Sequence, residues 1–296
     1  MDEVHNRPES EADAVDRTQP ARWRRTLLRG ARTVAIIYVV VMVLLMWFEE
    51  YFIFFPMRYP GGDWRPRGLD VEDAQFAAAD GVRLHGWYCP VADPRAVVLM
   101  SHGNAGNVTH RADEIRLWQE RLGVSVFIYD YRGYGRSDGR PNESGLYADA
   151  RAAYRWLTEV KGVAPDQIVL RGESIGSAVS LQLALEVPHR ALIMESPFTS
   201  AVEMGARSFP WLPVRWIMRN RFESIAAIGR YRGPLLITHG TEDSVVPFEM
   251  GRRLHERANE PKRFFAVPDA DHNDVPFVGG QAYFDAIGRF LAESEQ

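Results

Sequence analysis

Three patterns of apolar and polar positions run along the chain, and each predicts a different structure. The first is Val34 to Phe48, an apolar run with no charge in it. It is short for a span of about 20 residues, but Leu27, Leu28 and the following Tyr51-Phe52-Ile53-Phe54-Phe55-Pro56 extend it enough to cross a bilayer. A helix apolar on every side does not suit the core of a soluble domain. The second pattern begins near Val71. Gln75 to Ala78 and Val82 to Cys89 flank Asp80-Gly81, a hairpin signal. Short apolar runs then alternate with helix-like segments. The strands expected are Ala96–Met100, Val124–Tyr129, Gln167–Leu170, Ala191–Met194, Pro234–Thr238 and Arg263–Val267. The helices expected are about Ala112–Leu122, Glu143–Val160, Ala178–Leu185, Pro247–Ala258 and Gln281–Leu291. Continuous apolar strands between helices predict an α/β fold with a mainly parallel central sheet flanked by helices. The third pattern is a break in that rhythm between Pro197 and Arg232, with Phe209-Pro210-Trp211-Leu212-Pro213 and Trp216-Ile217-Met218. It is long for a connection and short for a domain, and it reads as a small helical cap at about 198–232.

Charge refines this layout. Residues Met1 to Pro20 are polar and mostly acidic and read as disordered. Arg22, Arg24, Arg25, Arg29 and Arg32 follow, so 1–30 is a polar tail turning basic, 31–55 a transmembrane anchor and 56–296 the α/β domain. A cleaved signal peptide fits less well, because the region before the apolar run is long and no small-x-small site follows Leu45. With the arginines on its N-terminal side, the segment is expected to keep the N-terminus in the cytoplasm and the domain on the outer face, periplasmic or lumenal. The bilayer is then the partner of residues 31–55. A net charge of −4 gives no reason to expect nucleic acid. The single cysteine, Cys89, excludes an internal disulfide and a cysteine-based metal cluster.

Candidate chemistry centres on Gly172-Glu173-Ser174-Ile175-Gly176, between an apolar strand and a helix. Gly-x-Ser-x-Gly in that context is a nucleophile elbow, which lifts the Ser174 hydroxyl out of the sheet edge. It also sets the Ile175 N–H at a helix start, facing a developing oxyanion. A serine needs a base, and the base a carboxylate to orient it. His272 is the histidine on the final loop, in Asp269-Ala270-Asp271-His272. Two carboxylates, Glu242 and Asp243, follow the Pro234–Thr238 strand. The loop His102-Gly103-Asn104-Ala105-Gly106 supplies the second oxyanion donor, the Asn104 N–H. His102 and His239, each before a glycine at a strand end, are expected to shape loops. The Asp/His cluster around His272 lacks a second histidine at ligand spacing, so no metal or cofactor is expected.

Five segments in order, His102–Asn107, Asp130–Gly139, Gly172–Ser177, His239–Pro247 and Asp269–Asp274, resemble the α/β-hydrolase superfamily. With the Phe54–Pro60 segment, the chain resembles the small membrane-anchored serine hydrolases homologous to the yeast bud-emergence protein, whose relatives include depalmitoylases and lysophospholipid lipases. The resemblance runs from about Tyr51 to the C-terminus. It implies Ser174 as nucleophile, Asp243 rather than Glu242 as acid and His272 as base. The anchor and the apolar cap then suggest a lipid or acylated small-molecule substrate, an ester or thioester whose acyl chain meets Trp211 and Trp216. A peptidase, or a catalytically silent scaffold on the same fold, are the alternatives.

Overall fold

The apolar runs become neighbours in one eight-stranded sheet. In the computed structural model, which describes residues 19–295, the strands are β1 (Glu72–Ala77), β2 (Arg83–Cys89), β3 (Val97–Ser101), β4 (Ser125–Tyr129), β5 (Ile168–Glu173), β6 (Ala191–Glu195), β7 (Leu235–Gly240) and β8 (Lys262–Val267). Their spatial order is β8-β7-β6-β5-β3-β4-β2-β1. All pairs from β8 to β4 are parallel; only β2 is reversed, pairing antiparallel with β4 and with the edge strand β1. Alternation along each strand feeds two cores. Leu99 joins the core beneath α4 (Glu143–Arg155), α5 (Ile175–Ala184) and α9 (Phe248–Arg257), while Val98 and Met100 join the one beneath α3 (Ala112–Leu122) and α10 (Val275–Glu293). Every residue of β3 to β7 is buried, which is why these strands lack polar alternation. Cys89 ends β2 as a buried free thiol.

Helix boundaries differ from the expectation, most consequentially at the two ends of the chain. Helix α1 covers Gln19–Trp47, with Trp23–Trp47 apolar enough to cross a membrane at a mean hydropathy of 2.1. It therefore starts inside the segment read as tail, since proline is tolerated in a first helical turn and arginine, leucine and alanine are good helix formers. The disorder expected before Gln19 lies outside the described residues. The chain divides into two compact units at Trp47/Phe48, so the aromatic stretch assigned to the anchor belongs instead to the sheet-bearing unit. Its backbone finds partners there: α2 (Glu49–Ile53) leads into Phe55-Pro56, paired in parallel with Ala105-Gly106. The last helix begins at Val275, six residues early, because a kink at Gly280 (φ 47°, ψ −134°) joins two helical segments. The 198–232 segment forms α6 (Ala201–Ser208), α7 (Val214–Ile217) and α8 (Ser224–Ala227).

Candidate active site

The site sits on the rim formed by the C-terminal ends of β5, β7 and β8. Ser174 turns the chain from β5 into α5 with φ 53° and ψ −117°, a left-handed conformation for a residue with a side chain. Such strain costs on the order of 1–3 kcal/mol and persists only where the surroundings enforce it. Here they do. A Cβ on Gly176 would lie 2.0 Å from the Ser101 carbonyl, and one on Gly172 2.1 Å from the Gly176 carbonyl. Glycine is the one residue that lets β3, β5 and α5 approach this closely. The Ser174 N–H donates to the Glu195 carbonyl at 2.9 Å, and the Ser177 hydroxyl donates to the Gly172 carbonyl at 2.7 Å. Ile175 opens α5, so its N–H has no acceptor within the helix.

Asp243 and His272 come from the loops after β7 and β8. His272 Nδ1 lies 2.8 Å from Asp243 Oδ2. The other oxygen, Oδ1, accepts from the Val245 and Val246 N–H groups at 2.9 and 2.7 Å. His239 Nε2 is 3.1 Å from Oδ2 as well, so this histidine braces the acid besides shaping its loop. Its signal in the sequence was its place four residues before Asp243. Asp271 stitches the two loops together by accepting from the Ser244 and His272 N–H groups. Glu242 is exposed. Burial opposes charge on both partners, yet the paired hydrogen bonds prevail. Asp243 is held below the ordinary carboxylate range by His239 and His272, and His272 is raised above the ordinary imidazole value by Asp243, with Glu173 and Glu195 adding to it. The Ser174 hydroxyl and the His272 ring are not hydrogen-bonded to each other in this structure.

The Asn104 loop is held from three sides. Its carbonyl accepts from the Tyr134 hydroxyl at 2.7 Å and the Phe55 N–H at 2.9 Å, and its side-chain amide donates to the Ile53 carbonyl at 2.9 Å. The Tyr131 hydroxyl donates to the His102 carbonyl at 2.8 Å. Burial pushes His102 down to about 4, so it is neutral. The segment after α1 thus clamps the Asn104 loop, a role that its aromatic composition concealed.

Beneath the rim lies a buried charge cluster that no motif announced. Arg171 reaches Glu195 at 2.7 Å and also pairs with Glu114, while Arg111 grips both oxygens of Glu173 at 2.8 Å. The Tyr283 hydroxyl donates to Glu195. Three carboxylates face two guanidiniums, and burial drives Glu114 upward to about 7. A cavity of about 80 Å³ joins this cluster to His272. The cap tryptophans are placed differently from the expected acyl pocket. Trp211 is 55% and Trp216 89% exposed, so Trp216 walls no enclosed pocket here. Apolar composition does not say which way a side chain faces.

A parallel sheet of this order, with a strained serine between strand and helix at its rim, defines an α/β hydrolase. The chain belongs to that superfamily. A family model described as serine aminopeptidase, S33, matches residues 92–230. The uncharacterized protein Rv2307c of Mycobacterium tuberculosis is 40% identical over 274 residues, 90% of this chain and 96% of its own. The α/β-hydrolase domain-containing protein WAV2 of Arabidopsis thaliana is 31% identical over 86% of this chain and 91% of its own. Among solved structures, the esterase Pf2001 of Pyrococcus furiosus superposes with a TM-score of 0.69 at 22% identity, over 82% of this chain and all of its own, a likeness of fold.

Proposed function

We propose that this protein is a membrane-anchored serine hydrolase that cleaves a carboxylic ester or thioester. Ser174 attacks the carbonyl carbon, and its proton passes to His272 Nε2, since Nδ1 is engaged by Asp243. The oxyanion is received by the Ile175 and Asn104 N–H groups, each such donor contributing about 3 kcal/mol to the transition state. His272 then protonates the departing alcohol or thiol. Water, deprotonated by the same ring, attacks the acyl-serine and frees the acid and Ser174. Catalytic hydrogen bonds are often long in unliganded enzymes and tighten with substrate, so the serine–histidine bond is expected to close on binding. The observation that supports this reading most is the Asp243–His272 bond on the same strand rim as the strained Ser174 turn. An apolar acyl group fits an enzyme whose N-terminal helix spans a bilayer. The arginines before that span argue for a cytoplasmic N-terminus and a domain on the outer face. A C-terminal alkaline phosphatase fusion is then active; an inactive fusion overturns the orientation.

The test is labelling with a fluorophosphonate, followed by p-nitrophenyl esters of increasing chain length. Wild type is labelled and Ser174→Ala is not. Absence of Ser174-dependent labelling indicates a silent scaffold. The family model's description favours one second reading, an aminopeptidase. Cleavage of aminoacyl-arylamides with no turnover of any ester would establish it.

A further inference from the structure

The cap is a basic segment in an acidic chain. Between Phe198 and Arg232 six arginines (207, 215, 219, 221, 230 and 232) stand against Glu203 and Glu223, a formal +4 within a net −4. Arg219 and Arg221 are paired, with Glu49 and Glu223. Arg207 and Arg215 are exposed. Between and beside them stand Phe209, Trp211 and Trp216, at 38%, 55% and 89% exposure. Helix α7 turns Val214 inward toward Gly205 and leaves Trp216 in solvent. Exposed tryptophans among exposed arginines in one short segment match the interfacial layer of a bilayer, where aromatic rings sit at headgroup level and cations meet phosphates.

Connectivity points the same way. Glu49 follows Trp47, the last residue of the apolar helix, by two positions. Its buried carboxylate accepts from the Arg219 N–H at 3.0 Å and from the Asn220 N–H and side-chain amide at 2.7 and 3.0 Å. Two residues of extended chain reach about 7 Å. A bilayer surface at the end of the apolar segment is therefore within that length of chain from the joint to Arg219, three residues past Trp216. Helix α2, which carries Glu49, exposes Tyr51 at 71% and Phe52 at 55%.

We propose that the cap docks on an anionic bilayer surface, with Trp216, Trp211 and Phe209 at headgroup depth and Arg207 and Arg215 against lipid phosphates. The proposal rests on reading α1 as a membrane anchor. The anchor holds the chain to the membrane, and this second contact sets which side of the domain faces it.

The test uses the full chain in vesicles of phosphatidylcholine with or without phosphatidylglycerol. Cys89 is buried, so Ser208→Cys supplies a selective thiol for an environment-sensitive fluorophore beside Arg207, and Val160→Cys, 66% exposed at the end of the π-helical segment that continues α4, supplies the control. At 208 the emission shifts to the blue and is quenched by brominated lipid, more strongly with phosphatidylglycerol; at 160 it stays that of water. In the Ser208→Cys background, Arg207→Gln and Arg215→Gln each lower the ratio of docked to undocked probe by about fivefold, and Trp216→Ala lowers it further. Emission at 208 that matches 160 in both vesicles overturns the proposal. So does a blue shift that depends on protein concentration without lipid, which marks a second copy of the chain as the occupant. Alkaline carbonate extraction scores the anchor separately. A chain released by carbonate loses the anchor reading, while the fluorescence on added vesicles still decides docking.

Discussion

The strand rim and the cap are held by different means. At the rim, Ser174, Asp243 and His272 are fixed by backbone N–H groups, by glycines with no room for a Cβ and by a buried charge cluster beneath. The cap's extended stretch is held by two carboxylates from elsewhere. Glu49 accepts from Arg219 and Asn220, and Glu143 accepts from the Arg221 and Phe222 N–H groups. Its largest side chains are left in solvent. On the proposed function, positioning for chemistry belongs to the sheet, while the cap serves what approaches the site. Variants on the two sides should therefore separate.

The largest effect is expected from Ser174→Ala, a loss of about a million-fold in kcat with an unchanged circular dichroism spectrum. Asp243→Asn should cost about 10⁴-fold, since His272 loses the partner that fixes its tautomer. It also carries a pH signature. In the proposed mechanism His272 must be neutral to accept the serine proton, so its raised value is expected to set the acid limb of kcat/KM above about 6.5 in the wild type. Removing the Asp243 charge removes a cause of that rise, so the acid limb moves to lower pH. A limb that stays in place or moves upward would separate His272 from this chemistry. Gly176→Ala pushes a methyl against the Ser101 carbonyl. It should lower stability by about 1–3 kcal/mol in denaturant titration and disturb the elbow, so activity falls with stability. On the cap side, Glu49→Ala strands buried donors and should cost about 1–3 kcal/mol of stability, while kcat on a short soluble ester changes by only a few fold. If Glu49→Ala slowed that ester as much as Asp243→Asn does, the separation of rim from cap would be lost. The smallest effect is expected from Trp216→Ala, within about 0.5 kcal/mol of wild-type stability in solution.

Much of the rim was legible because it obeys local rules. The strand at Ile168, the glycines about Ser174 and the order serine, acid, histidine each carry their own signal. The choice of Asp243 over Glu242 was open on spacing alone and required the resemblance; in the folded chain the bond to His272 and the backbone donors of Val245 and Val246 single it out. The roles of Phe55, Glu49 and Arg171 were not legible. Each depends on a partner far along the chain: Asn104, Arg219 and Asn220, and Glu114 and Glu195. The direction in which Trp216 faces was hidden for a similar reason.

By itself the sequence determined the alternation of strand and helix, the apolar N-terminal helix and the elbow, because period, turn chemistry and hydropathy act over a few neighbouring residues. Only the tertiary structure decided which carboxylate meets which base, that the chain leaving the apolar helix clamps the Asn104 loop, and which side of the cap meets solvent. Those outcomes rest on hydrogen bonds and packing between segments that sequence distance keeps apart and the sheet order brings together.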